Sequence, residues 1–430
     1  DGWAPLHLAS EYGHTAIAQV LHKKGASVTA ASKVGWAPLR LGSEYVHTDI
    51  AQFLHKKVAS VTAASKGCWA PLHLASEYGH TAIAQLLHEK GASVTAASKD
   101  GRTPLHLASE YGHTATAQLL HEKGASLTAA SKDGWTPLHL ASQNGHTATA
   151  QFLLEKGASV TAASKNGWTP LHLASKYGHM AIAHFLHEKG ASVTAASKDG
   201  RTPLHQASEY GHMAIAQFLL EKGASVTAAD RDGRTPLHLA SETGHTATAQ
   251  FLLEKGASVT AADRHGCTAL SNASAMGCNA TVELLLSRGA QVDSVDKDGD
   301  TPLSEAMLNG HPITVELLLK GGATMDRQNE AGETPLLGIW QKAGHPKTDE
   351  QTAAEIVKIM LDHGAAVDLP NKNGMTPLMA AARDGHTAAA ELLLSRGGSV
   401  TSTDKDGRSA AQYASAEGHH ELAKRLGVTE

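Results

Sequence analysis

Between Asp100 and Lys132 the apolar residues fall in two short stripes, each closed by a glycine, before a longer polar stretch. Asp100-Gly101 is a turn dipeptide, the glycine supplying positive φ at no steric cost. Thr103 and Pro104 read as the N-cap and first residue of a helix that carries Leu105 and Ala108 on one face. Gly112 falls where a left-handed residue commonly follows a helix end. Thr114 is placed to cap a second helix, with Leu119 and Leu120 inward and Lys123 near the negative end of its dipole. Gly124 ends that helix, and Ala-Ser-Leu-Thr-Ala-Ala-Ser leads to the next turn. The pattern predicts turn, short helix, short helix, extended loop.

The pattern returns every 33 residues, as DGWAPLHLAS, DGRTPLHLAS and DGWTPLHLAS align. Units start at Asp1, Val34, Gly67, Asp100, Asp133, Asn166, Asp199, Asp232, His265, Asp298, Ala331, Asn373 and Asp406. The eleventh, 331–372, carries nine extra residues, and the last, 406–430, stops after 25. Neither helix reaches the roughly twelve residues an isolated helix needs in water, so each unit must bury its stripe on its neighbours. Length alone suggests two or three domains; a fixed period overrides that and predicts one repeat domain over 1–430.

The TPLHLA core at this spacing, with TPLH intact in five units, resembles the ankyrin repeat, and the resemblance runs end to end. It implies an all-α repeat solenoid of helix-turn-helix units with projecting β-hairpin fingers. Positions 33, 1 and 3 would lie on the finger and positions 11 and 12 near the end of the first helix, together lining a concave face where partners are held. It further implies that histidine at position 7 locks the TPLH turn and histidine at position 14 bridges loop backbone between units.

The aromatics sort by these positions. All five phenylalanines occupy position 20, on the buried side of the second helix; Trp3, Trp36, Trp69, Trp135 and Trp168 occupy position 3; Tyr12, Tyr45, Tyr78, Tyr111, Tyr177 and Tyr210 occupy position 12. Arg102, Arg201 and Arg234 replace the tryptophan in other units, position 33 is basic in eleven of twelve cases, as at Lys132 and Lys165, and Glu11, Glu44, Glu77, Glu110, Glu209 and Glu242 run beside the tyrosines. One reading is a groove with parallel ladders of the residues interfaces favour, since Trp, Tyr and Arg bury much area at little entropy cost. The other is duplication, which copies surface residues whether or not they bind. Exposed tryptophans in register are an aggregation liability, which favours use.

Charge and chemistry narrow the function. The net charge of −5 offers no basic field for nucleic acid or anionic lipid. No apolar run is long enough for a membrane span, and no leader pattern is present. Cys68, Cys267 and Cys278 fall at three different repeat positions, unlike a disulfide framework, which points to a reducing, intracellular and cytoplasmic setting. Of 28 histidines, seven hold position 7, eleven position 14 and five position 22. Rows one repeat apart, about 8–10 Å, cannot share a metal whose donors lie near 2 Å. His265, Cys267 and Cys278 share a unit but are separated by a helix length. No nucleophile, zinc or phosphate-loop motif occurs, so no catalytic residue, metal ligand or cofactor is expected.

Some units break the pattern. In the second, Val34, Arg40, Gly42 and Asp49 replace usual residues, and Val46 and Val58 replace helix-ending glycines, where a β-branched side chain is strained; this reads as a hinge or as drift. Gly67-Cys68 spoils the next finger turn. The eleventh unit's insertion, between Trp340 and Ala354, is either a tolerated surface loop or a second contact point. Arg425 replaces an apolar residue at position 20 and Gly427 a side chain at position 22 of the last unit, as in a capping repeat, while Ile17, Val20 and Leu21 leave the first unprotected, so the array is expected to continue upstream. The function that follows is a non-catalytic scaffold holding a protein or extended peptide, with no nucleic acid, small-molecule substrate or membrane insertion. The alternative is the regulatory or tethering segment of a larger protein such as a channel, toxin or modifying enzyme.

Overall fold

The computed structural model describes residues 2–33, 35–45, 47–57, 59–62, 64, 67–340 and 349–427. Among them lie 26 helices, two to each period, and no strand ladder; isolated antiparallel bridges join Ala262 to Thr268 and Thr403 to Ser409.

Pro104–Glu110 and Thr114–Glu122 illustrate one pair. Thr103 is the N-cap, in extended backbone, and Pro104 the first helical residue. Gly112 follows at φ +76°, and a Cβ there would meet Nδ1 of His146 at 2.4 Å, so both the turn and the neighbouring imidazole require glycine. The second helix is capped by His113, with Thr114 already helical. The expected cap is therefore one residue out. His113 is held by the preceding repeat, its Nε2 donating to the Glu77 carbonyl at 2.8 Å. Thr114 instead pairs its hydroxyl with Thr149 of the next repeat at 2.7 Å.

The first helix is buried all round, Leu105, His106, Leu107, Ala108 and Ser109 being at most 1% exposed. The second buries one face, through Thr116, Ala117 and Leu120, and leaves Leu119 half-buried. Leu6, Leu39, Leu72, Leu105, Leu138 and Leu171 form a sealed column at position 6, each contributing roughly 1.5–3 kcal/mol of burial.

The chain forms two compact units, Asp1–Ala207 with Ala214–Ala224 and Ser208–Met213 with Ser225–Glu430. In the first, first helices stack in series from Pro5–Glu11 to Pro170–Tyr177 and second helices from Thr15–Lys23 to Met180–Glu188. In the second, the series run from Pro236–Glu242 to Ala410–Ala416 and from Thr246–Glu254 to Thr387–Ser395. Each is an all-α repeat solenoid.

The irregular repeats resolve in part. Val34, Val46 and Val58 lie outside the described residues, as does 341–348 in the insertion between Trp340 and Ala354. Trp340, at the edge of that insertion, is 7% exposed and donates its indole N–H to Nδ1 of His386 at 2.9 Å. It is a core anchor of its unit, so the second-contact reading loses its tryptophan. Cys68 does not spoil its finger: it adopts φ +60°, and Lys99 still donates its amide to the Gly67 carbonyl at 2.9 Å. Ile17 and Val20 are 51% and 57% exposed, where Ile50 and Ile83 at the first of these positions are sealed. Arg425 is exposed and pairs with Glu391.

Candidate interaction surface

Each finger is closed by backbone. The Ser131 amide donates to the Trp135 carbonyl at 2.8 Å and the Gly134 amide to the Ser131 carbonyl at 2.9 Å; the Trp135 amide donates to Oγ of Ser131 at 3.1 Å. Fingers then dock side by side, Lys132 donating to Asp100, Lys165 to Asp133 and Lys198 to Asn166, each at 2.8 Å. A Cβ on Gly134 would lie 2.8 Å from the Lys165 amide, which explains the glycine at this position.

Where position 7 is histidine, the buried ring latches the next finger to its own repeat. Nδ1 of His106 accepts from the Thr103 amide at 3.0 Å and sits 2.8 Å from its hydroxyl. Because an amide can only donate, Nδ1 carries no proton, and Nε2–H donates to the Trp135 carbonyl at 2.9 Å. His139 and His172 repeat the arrangement toward the carbonyls of Trp168 and Arg201. Burial pushes His106, His139 and His172 down to about 4, so these rings are neutral. The position-14 histidines bridge loops, as His113 does to Glu77 and His146 to Glu110. Both histidine roles follow the resemblance.

The side chains on this frame differ from expectation in one respect. Trp3, Trp36, Trp69, Trp135 and Trp168 are half-buried rather than exposed, because the indole leans on a position-7 side chain. The Trp3, Trp69, Trp135 and Trp168 rings lie 6.0–6.2 Å from His7, His73, His139 and His172, and Trp36 lies under Arg40. The tyrosines are the exposed row: Tyr12, Tyr45, Tyr78, Tyr111, Tyr177 and Tyr210 are 42–63% accessible. Tyr78 reaches back to Glu44, its hydroxyl 3.5 Å from Oε1, and Tyr111 to Glu77. Burial, together with Glu44 and Glu110 nearby, holds Glu77 above the usual carboxylate range despite the Tyr111 hydrogen bond. Arg102 pairs with Glu110 at 2.7 Å and Arg234 with Glu242. Arg201, half-buried, holds the same position in the seventh repeat.

Arg102, Trp135 and Lys165 meet in a cleft of about 580 Å³ whose lining also includes Asp100, Glu110 and Gln143. Lys132 is exposed on the adjoining finger. Of the expected residues, Tyr210 and Arg234 belong to the second compact unit and the rest to the first. The sequence reading missed Gln143, which replaces the usual glutamate beside Trp135 and leaves the cleft floor neutral there.

His265, Cys267 and Cys278 do not converge: the carbonyls of the first two receive Lys297 and His238, and Cys278 caps Asn279–Ser287. The sequence reading also missed a set of carboxylates. Asp296, Asp300 and Glu305 bring oxygens within 4.8 Å of one another. One Asp296 oxygen already accepts the amides of Asp298 and Asp300, and Asn329 donates to Asp300, so the cluster is accounted for as finger structure. No helix among the described residues is long and apolar enough to cross a membrane.

Helix pairs joined by histidine latches and docked fingers define a helical repeat protein. The chain belongs to the ankyrin-repeat family: a model of three ankyrin repeats matches residues 59–131, 127–197, 161–230, 185–263, 227–296, 270–340 and 349–427, and a model of one repeat matches 1–33. Ankyrin repeats are generally protein–protein interaction modules and typically non-catalytic. Comparison with curated proteins gives no match.

Proposed function

We propose that this chain is a non-catalytic scaffold that holds an extended segment of a partner protein against the fingers and first-helix ends of its first compact unit. The observation that carries this is the cleft of about 580 Å³ between Arg102, Trp135 and Lys165, continued by a row of exposed tyrosines. Indole, phenol and guanidinium groups supply binding energy at low entropic cost. Their backbone is fixed before any partner arrives, which lowers the ordering cost of association.

The test is the double change Trp135→Ala and Trp168→Ala, assayed by capture of partners from a cell lysate. Each truncation should cost on the order of 2 kcal/mol at a hot spot, so specific capture should be lost. Unchanged capture rejects this face. Capture that is nuclease-sensitive and falls steeply with salt reassigns it to nucleic acid.

A further inference from the structure

In three repeats the finger side chain at position 3 is closed onto position 11 at the end of the first helix. Arg102 meets Glu110 at 2.7 Å, Arg234 pairs with Glu242, and the Lys176 ammonium sits 5.3 Å from the ring centre of Trp168. Of the first eight repeats, the fifth alone carries no charge at either position, having Trp135 and Gln143. The indole N–H of Trp135 and the carboxamide of Gln143 make no hydrogen bond among the described residues. Both line the cleft of about 580 Å³.

The lining of that cleft sorts into a floor and a rim. Trp135 and Gln143 are half-buried and Leu140 is 2% exposed, so the floor is uncharged. The indole leans on His139, 6.2 Å between ring centres, and burial keeps that imidazole neutral. Toward the fourth repeat the flank is the Arg102–Glu110 pair, whose charges satisfy each other. Asp100, Asp133, Lys165 and Asn166 are exposed on the finger tips and make a rim of mixed sign. A charged side chain laid on this floor would lose water with no counter-ion beside it, because Glu110 is already held. An apolar one gains burial against the indole and Leu140. An uncharged floor inside a polar rim is the anatomy of an anchor point in a protein interface.

We infer that the fifth repeat seats one uncharged apolar side chain of the partner segment, the size of leucine or phenylalanine, with Gln143 holding the backbone of that residue. This rests on the face proposed above being the binding face. A carboxamide donates to a carbonyl and accepts from an amide at once, whereas the glutamate at this position in the first four repeats only accepts. Gln143 is thereby the specificity-determining residue. It leaves the floor uncharged for an apolar neighbour, and it grips extended backbone whatever the sequence. The closed pairs in the fourth and sixth repeats leave these three repeats one anchor point, which sets the register of the segment along the groove.

The probe is a display library of random ten-residue peptides, selected on the full chain with the double change Trp135→Arg and Gln143→Glu as counter-bait. That change copies the fourth repeat and shuts the seat with an ion pair, and its thermal midpoint checks that it folds. Peptides that hold the native chain and not the shut one should share an apolar residue at one place. Replacing that residue by lysine or glutamate should weaken binding about tenfold or more, while exchange among leucine, methionine and phenylalanine should change it less than about threefold. Gln143→Glu alone should weaken the same peptides about fivefold or more, through the lost donor and the charge on the floor. Equal binding to the shut variant, a shared charged residue, or no peptide that tells the two apart each overturn the assignment. Should the shut variant fail to fold, Gln143→Glu decides, and unweakened binding there overturns it too. If the anchor falls while Trp135→Ala with Trp168→Ala still abolishes partner capture, the face stands and only the seat is wrong. Unchanged capture removes both.

Discussion

Cys68 is the one non-glycine residue at positive φ among the described residues, at +60°, where Gly101, Gly134 and Gly167 stand in later fingers. A side chain there costs about 1–2 kcal/mol, and the docking bond from Lys99 survives at that expense. Cys68→Gly should stabilise the protein by about 1 kcal/mol, glycine's greater freedom in the unfolded chain offsetting part of the relief. A denaturant midpoint that stays put or falls would contradict it. Gln206 offers the opposite case, a polar group in an apolar slot. It is 1% exposed, neither amide atom has a partner, and Leu107, Leu140, Leu173 and Leu239 hold that position elsewhere. Gln206→Leu should add roughly 1–3 kcal/mol by removing the desolvated amide, read as a rise in urea midpoint; no rise would mean the amide is satisfied. Both residues are visible in an aligned sequence as departures. The strain at Cys68 and the orphaned amide of Gln206 become visible only when φ and burial are known.

At the scale of the element, the histidine latch links stability to pH. His106, His139 and His172 titrate near 4 when folded, below the ordinary histidine value of 6.5. Between those values the unfolded chain binds protons that the folded one refuses, so stability is complete above about pH 6.5 and drains away as pH falls toward 4. From pH 7 to pH 5 the loss should be on the order of 2 kcal/mol for each latch. Hydrogen exchange, corrected for intrinsic rate, should show it in residues 100–198; equal protection at both pH values would show that the rings do not resist protonation. The helices themselves were legible: Thr-Pro starts, glycine stops and the apolar stripes mark where each one runs. Two details were not. Thr114 looked like a cap because the rule for caps is local, whereas His113 takes that place through a carbonyl of the preceding repeat. The tryptophans looked exposed because position on a finger says nothing of which way an indole leans.

Across the whole molecule the sequence reading was strongest on period and family and weakest on charge. The net −5 conceals two unlike units. The first compact unit has 19 Lys and Arg against 14 Asp and Glu, a net of +5, and the second has 18 against 28, a net of −10. Most basic groups of the first unit lie on finger tips and in the last turns of second helices, while Glu11, Glu44 and Glu77 line the first-helix ends, so opposite charges sort by position within each repeat. Bonds between repeats sort in the same way. The latch histidine reaches a carbonyl 29 residues ahead, as His106 reaches Trp135, and loop histidines such as His113 reach one 36 residues behind, at Glu77. Excising or inserting one whole period inside a unit therefore rejoins each such bond to an equivalent atom, whereas a change of any other length breaks them. Unequal crossing-over between near-identical repeats can lengthen or shorten this gene without orphaning a hydrogen bond, so its descendants can differ by whole repeats while every surviving repeat stays in register.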